Sequence, residues 1–205
     1  MIKVSIIIPA YNCIELVDKA LNSIPVRDDI EVIIVDDNSD DGTYERILAY
    51  KYRHPFEVIV IRNKTNLGCA LATNTALDNA SGEYIVQLDI DDYLYTRVFT
   101  NIIDKDLWAD IVYFDMDIND GSIWCSSENT TFSIVDHCSF IKRDLIGGYR
   151  KPEVKYGGGL YLNEYIQNEL KKRNGTVIYT HKLAYHYNYP RIGSVMDKVH
   201  KGELK

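Results

Sequence analysis

The sequence has few cysteines, few prolines and no long apolar run, and each scarcity excludes a class of protein. Its 205 residues include four cysteines, none in a C-x-x-C pair, so neither a disulfide scaffold nor a cysteine zinc site is expected. No apolar stretch approaches the roughly 18 residues that a membrane-spanning helix needs. The first apolar stretch, residues 4–10, is too short for a signal peptide. We therefore predict a reduced, cytoplasmic protein with no membrane span.

Positive charge is also in short supply. The formal net charge is −7, which argues against nucleic-acid binding driven by charge alone. With 46% apolar and 26% charged residues, the composition is that of an ordinary globular chain, long enough for a full hydrophobic core. No repeat, linker or low-complexity segment interrupts it, so we predict one domain over residues 1–205.

The first 92 residues alternate between β-prone apolar runs and amphipathic helical patterns. This alternation predicts a parallel sheet with right-handed crossovers. We expect Asn12 to cap the first helix, with Glu15 as its capping-box partner. Beyond residue 94 the pattern is looser. The predicted strands are 3–9, 30–35, 57–61, 84–88, 110–116, 176–179 and 182–187, and the later predicted helices are 98–107 and 160–173.

Carboxylates follow two of these predicted strands. Asp89, Asp91 and Asp92 come directly after strand 84–88. Asp36 and Asp37 come directly after strand 30–35. Open α/β sheets bind ligands at the carboxyl ends of their strands. Mg²⁺ and Mn²⁺ favour oxygen ligands, so a metal–diphosphate site is one interpretation. The alternatives are a solvated acidic turn and, for the second pair, capping of the following helix.

Several blocks of the sequence resemble those of a known family. The matching blocks, spread over nearly the whole chain, are VSIIIPAYN (4–12), EVIIVDDNSDDGT (31–43), NLG (66–68), GEYIVQLDIDD (82–92) and YNYPRIGSVM (187–196). They resemble the inverting glycosyltransferases of family 2. The resemblance implies the α/β GT-A fold, a single Rossmann-like, mostly parallel sheet with helices on both faces. It also implies a nucleotide-sugar-binding half at 1–92 and an acceptor-binding half at 93–205.

The resemblance implies a nucleotide-sugar site on the donor side. Its predicted members are Pro9, Ala10, Tyr11, Asp37, Gly68, Asn74, Asp89, Ile90 and Asp91. Pro9 and Tyr11 are expected to line the nucleobase pocket. Asp37 is expected to accept a hydrogen bond from the base, which fits the N3–H of uracil and hence a UDP-sugar.

A divalent cofactor, Mn²⁺ or Mg²⁺, is also implied. Asp91 is the expected ligand that bridges the metal to the diphosphate, and Asp89 contacts the ribose side or the water shell of the metal. His186 could complete the metal shell or be structural. Many relatives carry arginine where this chain has Thr73, and Lys64 is a candidate to replace that diphosphate contact.

The catalytic base and the acceptor side follow from two further segments. In the family the base comes from a Glu-Asp pair that opens a late helix, and the corresponding residues here are Asn163 and Glu164. We therefore predict Glu164 as the base, with a solvated position on the helix face as the alternative. The motif DHCS (136–139) resembles an acceptor-side loop, which assigns Asp136 and His137 to the acceptor; His137 could equally be structural. Tyr185, Tyr187 and Tyr189 alternate along a strand, as either core packing or an acceptor-stacking surface.

The predicted function is a metal-dependent inverting glycosyltransferase that acts on a hydroxyl acceptor, with glycan or polysaccharide synthesis as the default. The acceptor could also be a lipid-linked sugar, a protein or a modified nucleobase. One alternative is a sugar nucleotidyltransferase, but residues 9–16 lack the glycine- and lysine-rich phosphate loop expected of that class. The other is a non-catalytic nucleotide-sugar-binding module.

Overall fold

One continuous sheet organises the molecule. The computed structural model describes residues 1, 3–54, 57–125, 137–153 and 158–189, with only the backbone for 158–161. Within those ranges, nine strands join in the order β3-β2-β1-β4-β8-β6-β9-β5, and β7 pairs with β6. The strands are β1 (Val4–Ala10), β2 (Ile30–Asp36), β3 (Glu57–Arg62), β4 (Tyr84–Gln87), β5 (Tyr93–Leu94), β6 (Ile111–Ile118), β7 (Ile123–Trp124), β8 (Ser139–Lys142) and β9 (Val177–Tyr187). The helices are α1 (Ile14–Asn22), α2 (Thr43–Lys51), α3 (Cys69–Asp78), α4 (Thr96–Lys105), α5 (Arg143–Ile146) and α6 (Gly158–Arg173).

The predicted parallel sheet of the first half is confirmed. Strands β3, β2, β1 and β4 are parallel neighbours. Successive residues of a strand point to opposite faces, so Ile6 and Ile8 join one core while Ile7 joins the other. Helices α1, α2 and α4 contribute to the first core, and α3, α5 and α6 to the second. The expected α/β architecture with helices on both faces is therefore present.

The second half of the sheet is mixed. Strand β8 runs antiparallel to both β4 and β6, whereas β6 and β9 are parallel. The prediction of two strands at 176–179 and 182–187 was wrong, because β9 is one strand. Its register against β6 shifts between Tyr113 and Asp115, and His181 nearby has a positive φ of 50°. A bulge of this kind breaks the local period of the sequence pattern without ending the strand.

The capping prediction for Asn12 was also wrong. The residue before α1 is Cys13, and its side chain makes no capping bond. Instead Asp41 serves two helices. Its Oδ2 accepts from the backbone N–H of Ile14 at 3.1 Å, and its Oδ1 accepts from the N–H of Thr43 at 2.9 Å. These are the first residues of α1 and α2, whose N–H groups have no partner inside their helices. One carboxylate thus ties both helices to the loop after β2.

A buried carboxylate fixes the opposite, amino-terminal end of the parallel strands. Glu31 is 2% exposed, and its Oε1 accepts from Ser5 Oγ at 2.5 Å, Ser81 N at 2.6 Å and Gly82 N at 3.1 Å. A Cβ on Gly82 would lie 2.6 Å from Ser5 Oγ, so only glycine fits there. The entry into β4 is therefore held rigidly against β1 and β2. In the described part of the chain, none of the helices combines the length and apolarity needed to cross a membrane.

Candidate active site

The loops that follow β1, β2 and β4 meet at one edge of the sheet. The last residues of β1 and β2, Ala10 and Asp36, are in register. Just past the end of β4, Leu88 donates from its N–H to the carbonyl of Ile7 at 3.0 Å. Parallel strands bring their carboxyl ends to the same side, and this is where α/β sheets bind ligands. The predicted acidic edge is therefore present.

Three carboxylates converge after β4. Asp89, Asp91 and Asp92 each offer an oxygen, and these oxygens all lie within 4.8 Å of one another. Asp92 is buried, and the other two are half-buried. Burial, followed by the charges of Asp89 and Asp91, raises the pKa of Asp92 well above its usual range. Converging oxygen ligands that repel one another form a site suited to a hard divalent cation.

The buried member of the cluster is held by β9 and the residue just after it. The Tyr185 hydroxyl donates to Asp92 Oδ2 at 2.6 Å, and the N–H of Asn188 donates to Oδ1 at 2.8 Å. Tyr185 is fully buried, so its role is structural. Tyr187 and Tyr189 are half-buried and stack with a ring separation of 5.6 Å. The alternating tyrosines therefore divide into a buried support and a partly exposed pair.

Asp89 is held on both oxygens. Gln87 Nε2 donates to Oδ1 at 2.8 Å, and His137 Nε2 lies 3.0 Å from Oδ2. Gln87 in turn accepts from Lys151 Nζ at 3.0 Å. His137 was predicted from the sequence, whereas Gln87 and Lys151 were not. A polar residue inside the apolar run YIVQL was the available signal for Gln87, and no sequence pattern indicated Lys151.

The hydrogen-bond partners of His186 lie outside the acidic cluster. Its Nδ1 is 2.9 Å from Asp117 Oδ1, and its Nε2 is 3.1 Å from Asn119 Oδ1. The ring also stacks on Tyr93 at 4.3 Å. Metal binding by His186 stays a prediction. The histidine that the fold brings to the cluster is His137.

Asp37 holds a loop on the nucleotide side. It is 2% exposed, and its oxygens accept from Asn63 Nδ2 at 2.7 Å, Leu67 N at 3.0 Å and Gly68 N at 2.7 Å. Gly68 precedes α3 with a φ of 87°, a conformation that favours glycine. Asp37 thus fixes the predicted donor-side residue Gly68 at the start of α3. Hydrogen bonding of Asp37 to a nucleobase stays a prediction.

The remaining predicted donor residues differ in exposure. Pro9 and Ala10 are buried at the end of β1, and Ile90 is 7% exposed and packs in the core. Tyr11 is 49% exposed. Of these four, Tyr11 is therefore the side chain available to a ligand. The next residue, Asn12, exchanges two side-chain hydrogen bonds with Asp40 and so joins the loop after β1 to the loop after β2.

Asn74 contacts another part of the chain. Its Oδ1 accepts from the N–H of Lys151 and its Nδ2 donates to the Lys151 carbonyl, both at 2.8 Å. Thr73, at the position where many relatives carry arginine, is buried and donates to the carbonyl of Cys69 within α3. Lys64 is exposed. Lys151 is the lysine whose backbone bonds to Asn74, and a diphosphate contact by Lys64 stays a prediction.

The predicted base lies on α6. Leu162, Ile166 and Leu170 are buried and form one apolar stripe along this helix, and Glu164 is exposed. Helix α6 begins at Gly158, so Glu164 is its seventh residue rather than part of its opening. None of the hydrogen bonds described for this chain links Glu164 to the acidic cluster. Asp136, predicted on the acceptor side, lies outside the described residues.

An α/β sheet with an acidic cluster at the carboxyl ends of its parallel strands is the arrangement that the resemblance to a GT-A fold implies. The chain belongs to glycosyl transferase family 2, whose model matches residues 5–124. It is 41% identical over 178 residues to the Escherichia coli UDP-Glc:α-D-GlcNAc-diphosphoundecaprenol β-1,3-glucosyltransferase WfaP, covering 84% of this chain and 61% of that enzyme.

Two solved structures share the fold. Staphylococcus aureus TarS 1–349 in complex with UDP-GlcNAc gives a TM-score of 0.76 at 23% identity, covering 95% of this chain and 60% of that one. The mannosyltransferase PcManGT from Pyrobaculum calidifontis, in complex with GDP-Man and Mn²⁺, gives 0.70 at 22% identity, covering 98% and 61%. The chain thus spans less than two thirds of the length of each of these proteins.

Proposed function

We propose that this chain carries the donor site and catalytic site of a metal-dependent inverting glycosyltransferase. Its donor would be a UDP-sugar and its acceptor a hydroxyl group on a glycan or glycan precursor. The observation that carries the proposal is the acidic cluster of Asp89, Asp91 and Asp92 at the sheet edge of a family 2 chain. WfaP is a glucosyltransferase with UDP-Glc as donor and a diphosphoundecaprenol-linked GlcNAc as acceptor, which supports the same classes here.

The acidic cluster fits Mn²⁺ or Mg²⁺, since all three members present carboxylate oxygens close together. We assign Asp91 as the principal ligand, because it is the second acid of the D-x-D motif after β4 and its half-buried carboxylate can be reached by a cation. The Mn²⁺ in the PcManGT complex supports this cofactor class. When bound, the cation would neutralise charge that develops on the departing diphosphate.

The residues at 1–92 would bind the nucleotide. Tyr11 would contact the base with its exposed ring, while buried Pro9 and Ala10 set the path of the loop. Asp37 would face the base edge and accept from the uracil N3–H, in addition to holding the segment that ends at Gly68. A site built to hydrogen-bond one group discriminates strongly against ligands that lack it.

The residues at 93–205 would bind the acceptor and take its proton. His137, which borders the cluster, is assigned to the acceptor side. In an inverting reaction a carboxylate on the face opposite the leaving group removes the proton of the attacking hydroxyl. Glu164 remains our candidate for that carboxylate.

The test is release of the free nucleoside diphosphate from a panel of UDP-Glc, UDP-GlcNAc and GDP-Man, with an aryl N-acetylglucosaminide as acceptor. We expect UDP release with Mn²⁺ and its loss with EDTA. Release of pyrophosphate from a nucleoside triphosphate and a sugar phosphate would identify a nucleotidyltransferase instead. Metal-dependent UDP binding with no release from any donor would identify a non-catalytic binding module.

A further inference from the structure

We propose that Lys151 is a positioning residue that fixes Asp89 in the acidic cluster through the side-chain amide of Gln87. Lys151 Nζ donates to Gln87 Oε1 at 3.0 Å, and Gln87 Nε2 donates to Asp89 Oδ1 at 2.8 Å. We call these three side chains the relay. The proposal rests on the proposed function, because it gives the relay a part in the donor site.

The direction of the relay follows from the chemistry of its first member. An ammonium group can only donate hydrogen bonds, so Lys151 selects the carbonyl oxygen of the Gln87 amide. The NH₂ group of Gln87 must then face the other way, toward Asp89, which as a carboxylate can only accept. Lys151 and Asp89 therefore select the same orientation of the amide. Without Lys151 only the half-buried carboxylate would hold that orientation, so the lysine keeps the Gln87 donor on Asp89.

The burial of the relay shows how firmly it is held. Gln87 and Lys151 are each 5% exposed, whereas the Asp89 side chain is 25% exposed. A buried charge is costly unless hydrogen bonds offset the loss of hydration. The relay thus runs from the interior to the surface, and only its last member can reach a ligand. This is the geometry of a support for a binding group rather than of a group that binds.

A separate set of contacts holds Lys151 in place. Asn74 on α3 bonds to both the backbone N–H and the carbonyl of Lys151, each at 2.8 Å. The preceding residue, Arg150, donates from Nε to Asp78, also on α3, at 2.8 Å. The segment that carries Lys151 is therefore tied to α3 at two neighbouring positions. This assigns Asn74 to the same function: it places the lysine and, through the relay, Asp89.

The first arm of the test needs no ligand. In the wild-type protein we expect slow hydrogen exchange of the Gln87 side-chain amide, whose NMR signal is assigned by its loss in Gln87→Met. In Lys151→Met, which keeps the length of the side chain but removes the donor, exchange should become fast. Lys51→Met at the exposed end of α2 is the matched control and should leave the signal unchanged.

The second arm measures Mn²⁺-dependent UDP affinity by calorimetry. Partners that orient a metal-binding group typically contribute about 10–100-fold to affinity, so Lys151→Met and Gln87→Met should each weaken it by at least about tenfold. The double variant should be no weaker than the poorer single variant, because the two residues act in series. Gln87→Glu should be equally defective, since it retains an acceptor for Lys151 but offers no donor to Asp89. Thermal unfolding shows which variants remain folded.

The outcomes separate this proposal from the function on which it rests. Additive losses in the double variant, or full affinity in a folded Lys151→Met, would overturn the relay. So would a Gln87 amide that exchanges equally in wild type and Lys151→Met. If the wild-type protein bound no UDP with Mn²⁺, the proposed donor would be wrong. The exchange measurement, which needs no ligand, would then be the test of the relay.

Discussion

The hydroxyl of Tyr185 lies 2.6 Å from Oδ2 of Asp92 and so joins β9 to the acidic loop across 93 positions of the sequence. The same hydroxyl accepts from the backbone N–H of Asp89 at 3.3 Å. One buried side chain from the last strand therefore contacts two members of the acidic cluster. The shape of the donor site depends on the second half of the chain as well as on the strand that carries the acids.

The first prediction concerns a substitution that removes this hydroxyl. Tyr185→Phe leaves a buried carboxylate oxygen without its donor, which typically costs about 1–3 kcal/mol of unfolding free energy. We also expect Mn²⁺-dependent UDP affinity to fall by about tenfold, as for other groups that orient metal ligands. Urea unfolding measures the first effect and calorimetry the second.

Tyr84→Phe is the matched control. Its hydroxyl is also buried and donates to the carbonyl of Ala109 at 2.9 Å, at the other end of the sheet. It should lose stability of a similar size and keep wild-type UDP affinity. Equal losses of affinity in both variants would show that Tyr185 acts only through stability.

The second prediction concerns the metal. Asp91→Asn keeps the size of the side chain but removes a charge from the proposed cation site, so metal-dependent UDP affinity and turnover should both fall by more than about tenfold. UDP binding measured in EDTA should not change. Asp120→Asn removes an exposed acid elsewhere and serves as the control. Wild-type turnover that persists in EDTA would contradict the assignment.

The parallel strands were predictable because strands covered on both faces are continuous apolar runs. In β1 and β2 every residue is buried, and each run stops at the edge where the acids begin. The position of Asp89 and Asp91 at the end of such a run was enough to predict that they lie at this edge of the sheet. Burial on both faces requires apolar side chains at successive positions, and this pattern can be read from the local sequence.

The contacts that support the acidic cluster and the helix ends correspond to no local sequence pattern. The bond from Lys151 to Gln87 spans 64 positions, and the lysine follows no periodic element. Asn12 matched the capping-box pattern with Glu15, but a tertiary partner, Asp41, supplies the cap. A local sequence pattern indicates which groups need hydrogen-bond partners. Which residue provides the partner depends on the tertiary fold.

The third prediction tests the two roles of Asp37. Asp37→Ala removes the acceptor of the Leu67 N–H and the nearer of the two acceptors of the Gly68 N–H, so stability should fall by about 1–3 kcal/mol. If Asp37 also accepts from uracil, the preference for UDP over GDP should disappear. Asn63→Ala, which removes only one donor to Asp37, should keep that preference. Equal wild-type affinities for the two nucleotides would limit Asp37 to holding the loop.

The last prediction concerns the base. Glu164→Gln keeps the size and hydrogen-bonding capacity of the side chain but cannot take a proton. General-base catalysis contributes about 10²–10⁴-fold, so turnover should fall by that range while metal-dependent UDP affinity stays near wild type. Steady-state UDP release and calorimetry separate the two quantities. Asp91→Asn, in contrast, should damage both.

Glu169→Gln on the same helix is the control for Glu164. Glu169 pairs with Lys172 at 2.7 Å on the surface of the helix, and exposed pairs of this kind contribute little, so turnover should not change. The position of Glu164, exposed and seven residues into α6, makes this test the most informative one for the mechanism. If Glu164→Gln retains turnover within about threefold of wild type, well short of the general-base range, Glu164 is not the base. Asp136 then becomes the next carboxylate to test. Asp144 is the weaker alternative, because its neighbour Arg143 bonds to Glu83 just before β4, at the end of the sheet opposite the acidic cluster.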